Sequence, residues 1–244
     1  MERMRVEEPA GGWRDPWPQV FEIAQELPAD RWALVGGLMV QAHALAAGVE
    51  TTRVTLDVDV AVRIEAGTFS YAEAAAALTR LGYALDGSQR LTYRFKRGYD
   101  VVDLMVPDHE RPPPRHARRD VMAVAGGRQA LDRLLTMQFR NGDTEPPVPV
   151  PTLHGALVLK AAAHIADTRD ADRHLLDALT LLACIIDSEA ILSDLRGSDR
   201  KRLNHLIRAI DAHSLVTAQA PTDTARLAQR SLDELRAGMA SPTR

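Results

Sequence analysis

The chain is short of several things, and each shortage excludes something. It has one cysteine, Cys184, among 244 residues, which rules out an intramolecular disulfide framework and any site built from several thiolates, and fits a reducing compartment. Aromatic residues make up only 5%, so the core should be aliphatic, built from Ala, Leu and Val. Neither sign of charge dominates: 30 Lys and Arg stand against 33 Asp and Glu, a net of −3. That balance argues neither for nor against nucleic acid. No uninterrupted apolar run reaches the roughly 18 residues that a membrane span needs; the nearest, 175–186, holds Asp177. Residues 1–8 are charged and no apolar stretch follows them, so no secretory leader is expected. These absences predict a cytoplasmic protein with no membrane partner. The Gly-x-x-x-x-Gly-Lys-Ser/Thr and Gly-x-Gly-x-x-Gly loops are also missing, which takes the main support from P-loop and dinucleotide-binding readings. What remains is an ordinary globular composition, 45% apolar and 26% charged, able to bury a sizeable core.

Periodicity organises the chain into two parts. Residues 1–18 carry charge, Gly and Pro and read as a loose leader. Apolar spacing predicts a helix over 19–27, a short strand at 32–35, a turn at Gly36-Gly37 and a helix to residue 47. Strict alternation from Val54 to Val62 predicts a strand with Val54, Leu56, Val58, Val60 and Val62 on one face. A helix at 71–81 and strands near 83–85, 91–97, 99–106, 134–140 and 148–150 follow. Pro146, Pro147, Pro149 and Pro151 read as an extended linker, beyond which the pattern is helical. The expected fold class is α+β: a mixed sheet with flanking helices over 19–150, followed by a helical domain over 151–244.

Asp57 and Asp59 are the first candidates for chemistry. At i and i+2 on a strand they face the same way, about 6.6 Å apart at a rise of about 3.3 Å per residue. Two like charges on a strand otherwise made of Val and Leu are best tolerated with a cation between them, and a pair of carboxylates suits Mg²⁺ shared with substrate phosphates. Taken alone, Asp-x-Asp also fits a solvated strand face. Asp103 lies on a strand face with Val101 and Met105, so it needs a partner: a metal shared with the first two, or an ion pair. Gly36-Gly37 opens a helix whose free N–H groups suit a phosphate, although paired glycines also make plain turns. Arg53 and Thr55 lead into the aspartates and place a cation and a hydroxyl at the mouth of the same face.

Gly36-Gly37, a helix, and Arg53-x-Thr55-x-Asp57-x-Asp59 together resemble the signature of the AbiEii/AbiGii toxin family of nucleotidyltransferases, relatives of the DNA polymerase β superfamily. The likeness extends over roughly residues 30 to 185, through the segment around Lys160 and through Arg173-His174-x-x-Asp177, which resembles an Arg-Asp-x-x-Asp element with His174 in the acidic position. The resemblance implies a nucleotidyltransferase-like fold. It implies that Asp57, Asp59 and Asp103 hold Mg²⁺, in a site suited to two ions, with Asp103 also helping to activate the attacking hydroxyl. Gly36, Gly37, Arg53, Thr55 and Lys160 would meet the nucleoside triphosphate, and Asp177 would be an acidic residue needed for activity. Read from the residues alone, Lys160 is also a solvated helix residue, and Arg173 with Asp177 a plain i,i+4 ion pair.

The activity implied is transfer of a nucleoside monophosphate from an NTP to a hydroxyl, with a tRNA 3′ end as acceptor and a toxin–antitoxin pair as context, the antitoxin being a partner protein. A small molecule or a protein side chain as acceptor, or a binding module without catalysis, are the other readings. Two basic clusters could steer a phosphate backbone or simply form solvated surface: Arg111, Arg115, Arg118 and Arg119 with His116, and Arg196, Arg200, Lys201 and Arg202. His164, His174 and Cys184 match no recognised zinc spacing, and the apolar run around Cys184 predicts an inert thiol.

Overall fold

The computed structural model describes residues 3–64, 69–108, 112–167 and 170–240. It is a mixed α/β structure in which the chain divides into two compact units, Met1–Met39 with Thr55–Thr152, and Val40–Val54 with Leu153–Arg244.

In chain order the elements of the first unit begin with β1 (Arg3–Val6), α1 (Trp17–Glu26), β2 (Trp32–Leu34) and α2 (Gly36–Ala47), the last running on into the second unit. Then come β3 (Val58–Val62), α3 (Tyr71–Arg80), β4 (Ala84–Leu85), β5 (Arg94–Arg97) and β6 (Asp100–Pro107). A small hairpin of β7 (Arg115–His116) and β8 (Arg119–Asp120) leads to β9 (Ala123–Val124), α4 (Gly127–Leu131), β10 (Leu134–Phe139) and β11 (Pro147–Pro151).

The main sheet has the order β2-β3-β6-β5-β4, with β9 also paired to β6. β3 and β6 are parallel, and the other neighbours along that path are antiparallel. Val58, Val60 and Val62 of β3 are buried with Val102 and Leu104 of β6, so the β-branched residues that favour a pleated surface also fill the core. α3 is a well-specified helix: the Glu73 N–H donates to Ser70 Oγ at 3.2 Å and the Ser70 N–H donates back to the Glu73 carboxylate at 2.7 Å, a reciprocal cap.

Three expectations need correction. The strand at Val54 begins only at Val58, the first residue paired with β6, and the pairing with β2 starts later still, at Val60; Val54 and Leu56 are 78% and 75% exposed rather than on the buried face. The loose leader holds β1, which pairs with β10, and Trp13, whose ring centroid lies 5.2 Å from Trp17 and 5.5 Å from Phe139; burying these rings outweighs the local Gly and Pro content. The proline linker is β11, an edge strand paired with β10. Alternate residues of an edge strand turn their backbone nitrogens away from the neighbour, so Pro147, Pro149 and Pro151 fit while Val148 and Val150 are buried.

The second unit is helical: α5 (Leu153–Ala166), α6 (Ala171–Ala183), α7 (Ser188–Ser193), α8 (Asp199–Ala212), α9 (Ser214–Thr217) and α10 (Thr222–Ala240), together with residues 40–54. α6 packs against α5 and α10, burying Leu175, Ala178, Leu179 and Leu182. Residues 48–54 carry no apolar stripe but are tied to this unit by side chains: Thr52 Oγ1 donates to the Leu176 carbonyl at 3.0 Å, and Thr224 Oγ1 donates to the Glu50 carbonyl at 2.9 Å. No helix among the described residues is long and apolar enough to cross a membrane.

Candidate functional site

Register builds the first constellation. Asp59 of β3 is directly opposite Asp103 of β6, and Asp103 is directly opposite Arg94 of β5. Opposed residues on paired strands share a face, so three adjacent strands lay two carboxylates and a guanidinium in one row. Asp57, two residues before Asp59, stands at the head of β3 with its side chain 43% exposed. Asp103 is buried.

Arg94 is the residue that the sequence analysis did not pick. Its Nε donates to Asp103 Oδ1 at 2.8 Å and its Nη2 to Oδ2 at 2.7 Å, and the same Nη2 lies 3.4 Å from Asp57 Oδ2. The Asp103 hydrogen bonds more than offset burial and raise the Arg94 pKa above its ordinary value, so the guanidinium is charged throughout. The need of Asp103 for a partner was legible; an arginine two strands from Asp59 meets it. Asp103 is therefore half of a two-pronged ion pair and not an open third ligand beside Asp57 and Asp59.

Gly36 completes this constellation. Its φ is +67°, and a Cβ placed there would fall 1.8 Å from Asp59 Oδ2, so only glycine lets the chain pass the carboxylate at this point. The Val35 N–H donates to the Asp59 carbonyl at 2.9 Å, which fastens the start of α2 to β3. The first N–H groups of a helix have no partner within it and carry its positive dipole end. Gly36 and Gly37 thus bring an anion-accepting helix start beside an acidic strand. Thr55, expected at the mouth of this face, is buried.

Among the described residues no group of three or more His, Cys, Asp or Glu side chains is arranged as a ready-made metal site. A hard divalent ion asks less of the protein: Mg²⁺ commonly takes one or two carboxylates and completes its shell with water and phosphate. Asp57 and Asp59 would supply that donor set, and the Asp59 carboxylate lies against the helix start, in the space that a Cβ at Gly36 would take. The residues present fit such an ion, with Asp57 and Asp59 as the protein's share.

The second constellation lies within the helical unit. Asp177 on α6 is 1% exposed; Arg53 donates to it through Nε at 2.8 Å and Nη2 at 3.1 Å, and Lys160 on α5 through Nζ at 2.6 Å. Burial works to raise the Asp177 pKa, but the charges and hydrogen bonds of Lys160 and Arg53 prevail and hold it below the ordinary carboxylate range. Lys160 is itself buried, neither a solvated helix residue nor extended towards solvent. Arg173 pairs with Asp167 and Asp170 at 2.8 and 3.7 Å rather than with Asp177. His174, in the position expected to be acidic, is buried, and burial together with the Lys160 and Arg173 charges pushes its pKa down to about 4. Burial likewise pushes the Cys184 thiol up to about 12, which makes it inert as expected.

Much of the basic surface is engaged locally. Arg115 pairs with Asp120 at 3.3 Å, Arg119 donates to the Gly87 carbonyl at 3.2 Å, Arg196 pairs with Asp194, and Arg200 donates to the Met239 carbonyl at 3.1 Å. Arg118 is exposed at a hairpin turn. Arg111 lies outside the described residues.

No protein-family model matches the chain, and no curated protein matches it in sequence. Its structure is similar to the crystal structure of an antigenic nucleotidyltransferase-like protein from Paracoccidioides brasiliensis, with 16% identity and a TM-score of 0.50 over 82% of this chain and 90% of that one. A looser likeness, at 11% identity and a TM-score of 0.38, links it to the solution structure of the antibiotic-resistance factor ANT(2'')-Ia over 92% of this chain and 96% of that one. The first likeness supports a nucleotidyltransferase-like fold, with mixed sheets and flanking helices. The narrower AbiEii/AbiGii membership finds no family match.

Proposed function

We propose that the chain is a cytoplasmic, Mg²⁺-dependent nucleotidyltransferase that moves a nucleoside monophosphate from an NTP to a hydroxyl acceptor. One observation supports this reading: the Asp59 carboxylate stands against the glycine start of α2, with Asp57 two residues before it on the same chain segment, which would bring oxygen donors for a metal near N–H donors for phosphate. In the reaction the acceptor oxygen bonds to the α-phosphorus, the bond from that phosphorus to the bridging oxygen breaks, pyrophosphate leaves, and the hydroxyl proton passes to solvent. Asp57 and Asp59 hold Mg²⁺, while Gly36 and Gly37 orient the triphosphate by backbone N–H groups. Bound there, Mg²⁺ supplies charge neutralisation on the phosphates and polarisation of the α-phosphorus. Asp103 acts by holding Arg94. Arg53, Lys160 and Asp177 act on the architecture of the helical unit, which their mutual hydrogen bonds favour over contact with nucleotide.

For the acceptor we favour an RNA 3′ end, tRNA above all, with the chain as the toxin of a toxin–antitoxin pair; this part rests on the resemblance to the AbiEii/AbiGii family. A second reading, a nucleotide- or partner-binding module without catalysis, is favoured by the grip of Arg94 on Asp103. The discriminating experiment incubates the protein with Mg²⁺, total tRNA and each α-³²P-labelled NTP in turn. Label on RNA that disappears in Asp57→Ala/Asp59→Ala is the expected result. Label on the protein would move the proposal to another acceptor, and nucleotide binding without any transfer would favour the module.

A further inference from the structure

Three carboxylates, Asp57, Asp59 and Asp103, converge on one part of the first unit, and like charges a few ångströms apart repel strongly where water is partly excluded. Arg94 supplies the positive charge beside them, but its contacts are unequal. The pair with Asp103 is short and two-pronged, at 2.8 and 2.7 Å, on a carboxylate that is buried. The contact with Asp57 is 3.4 Å, to a carboxylate that is half-exposed. The β5–β6 ladder fixes Arg94 opposite Asp103, and its guanidinium carbon lies 5.5 Å from the centroid of the Tyr93 ring. The Asp103 end is therefore the anchor and the Asp57 end the one that yields.

We propose that Arg94 is a built-in counter-cation that competes with divalent metal for the carboxylates, so that metal binds weakly to the protein alone and tightly only together with polyphosphate. The inference rests on the reading of Asp57 and Asp59 as metal-holding residues. A divalent ion approaching Asp57 meets a guanidinium already there; Nη2 gives up Asp57 but stays nearby, held by Asp103, as a like charge. A triphosphate reverses the balance, because its negative charges are shared between the ion and Arg94. Metal and nucleotide then bind cooperatively, and Arg94 sets the size of the coupling. Arg94 acts through Asp57 and Asp103 and is a positioning residue.

The test titrates the full chain with Mn²⁺, with and without inorganic tripolyphosphate, followed by water-proton relaxation enhancement, which responds to Mn²⁺ held on a macromolecule. Tripolyphosphate removes any dependence on the base. Wild type is expected to bind Mn²⁺ on the order of tenfold more tightly with tripolyphosphate than without it. Arg94→Gln is expected to bind Mn²⁺ alone on the order of tenfold more tightly than wild type and to lose most of the coupling. Arg94→Lys keeps the charge and is expected to stay close to wild type, whereas a role in packing alone would leave Gln and Lys alike. Unchanged or weaker Mn²⁺ binding in Arg94→Gln, with wild type binding normally, overturns the role of Arg94 and leaves the site reading intact. Absence of coupling in wild type overturns it without any variant, should Arg94→Gln fail to fold. No Mn²⁺ bound by wild type under either condition removes the site reading and the inference with it.

Discussion

Gly36 is the residue at which the proposed site breaks most easily. An alanine there needs a backbone conformation that L-residues rarely adopt, at a cost of about 1–3 kcal/mol, and its methyl would occupy the position of the Asp59 carboxylate. Gly36→Ala should lower the melting temperature modestly. Displacing a metal-holding carboxylate by about 1 Å can cost about 100-fold in rate, so nucleotidyl transfer should fall by about that factor or more. A variant that melts like wild type and transfers like wild type would contradict the placement of Asp59. At this scale the aspartates and glycines drew attention only in combination, because Asp-x-Asp alone also fits a solvated strand face and paired glycines alone also make plain turns. Arg94 drew none, since Tyr93-Arg94-Phe95-Lys96-Arg97 reads as an ordinary strand with exposed cations; only the register of β5 on β6 singles out one of them.

Elements account for what the helical residues do. Asp177 joins α5 and α6 to the 48–54 loop through Lys160 and Arg53. Asp177→Ala leaves a buried lysine without its carboxylate, which should destabilise the protein by about 3–5 kcal/mol. Asp177→Leu with Lys160→Met should recover most of that loss, because an apolar pair of similar volume avoids desolvating two charges. If the double variant melts like wild type and yet transfers nothing, Asp177 or Lys160 has a direct part in the reaction.

Acid acts on the same helix. Asp177 is held below the ordinary carboxylate range, so its contribution is complete above that range and is lost as pH falls through the lowered value. His174 titrates at about 4 in the folded chain against 6.5 ordinarily, so it favours the folded state above 6.5 and ceases to do so as pH falls towards 4. Melting temperature should therefore decline from pH 6.5 towards 4, and His174→Gln should remove the upper part of that decline. An unchanged slope in His174→Gln would show that the imidazole is not buried as described. Strands were harder to read than helices for a related reason. Alternation at 54–57 continues that of β3, but a strand exists only where a neighbour is hydrogen-bonded to it, and the pairing of β3 starts at Val58 with β6 and at Val60 with β2. The prolines of β11 signalled a break because their sheet position, at an edge, is not encoded locally.

At the scale of the whole molecule, the alternation of strands and helices before residue 151 and of helices after it makes the fold class visible in the sequence alone. The assignment of 40–54 to the helical unit is not visible there, because side-chain hydrogen bonds to Leu176 and from Thr224, distant in sequence, carry it. The central claim is that Asp57, Asp59 and the start of α2 hold a metal–triphosphate together. It is tested most directly by an anomalous difference map from crystals grown with Mn²⁺ and a non-hydrolysable NTP analogue. The account predicts one strong peak bonded to Asp57 and Asp59, with the triphosphate on the Gly36-Gly37 turn. Bound nucleotide elsewhere, or Mn²⁺ without either aspartate among its ligands, would contradict it.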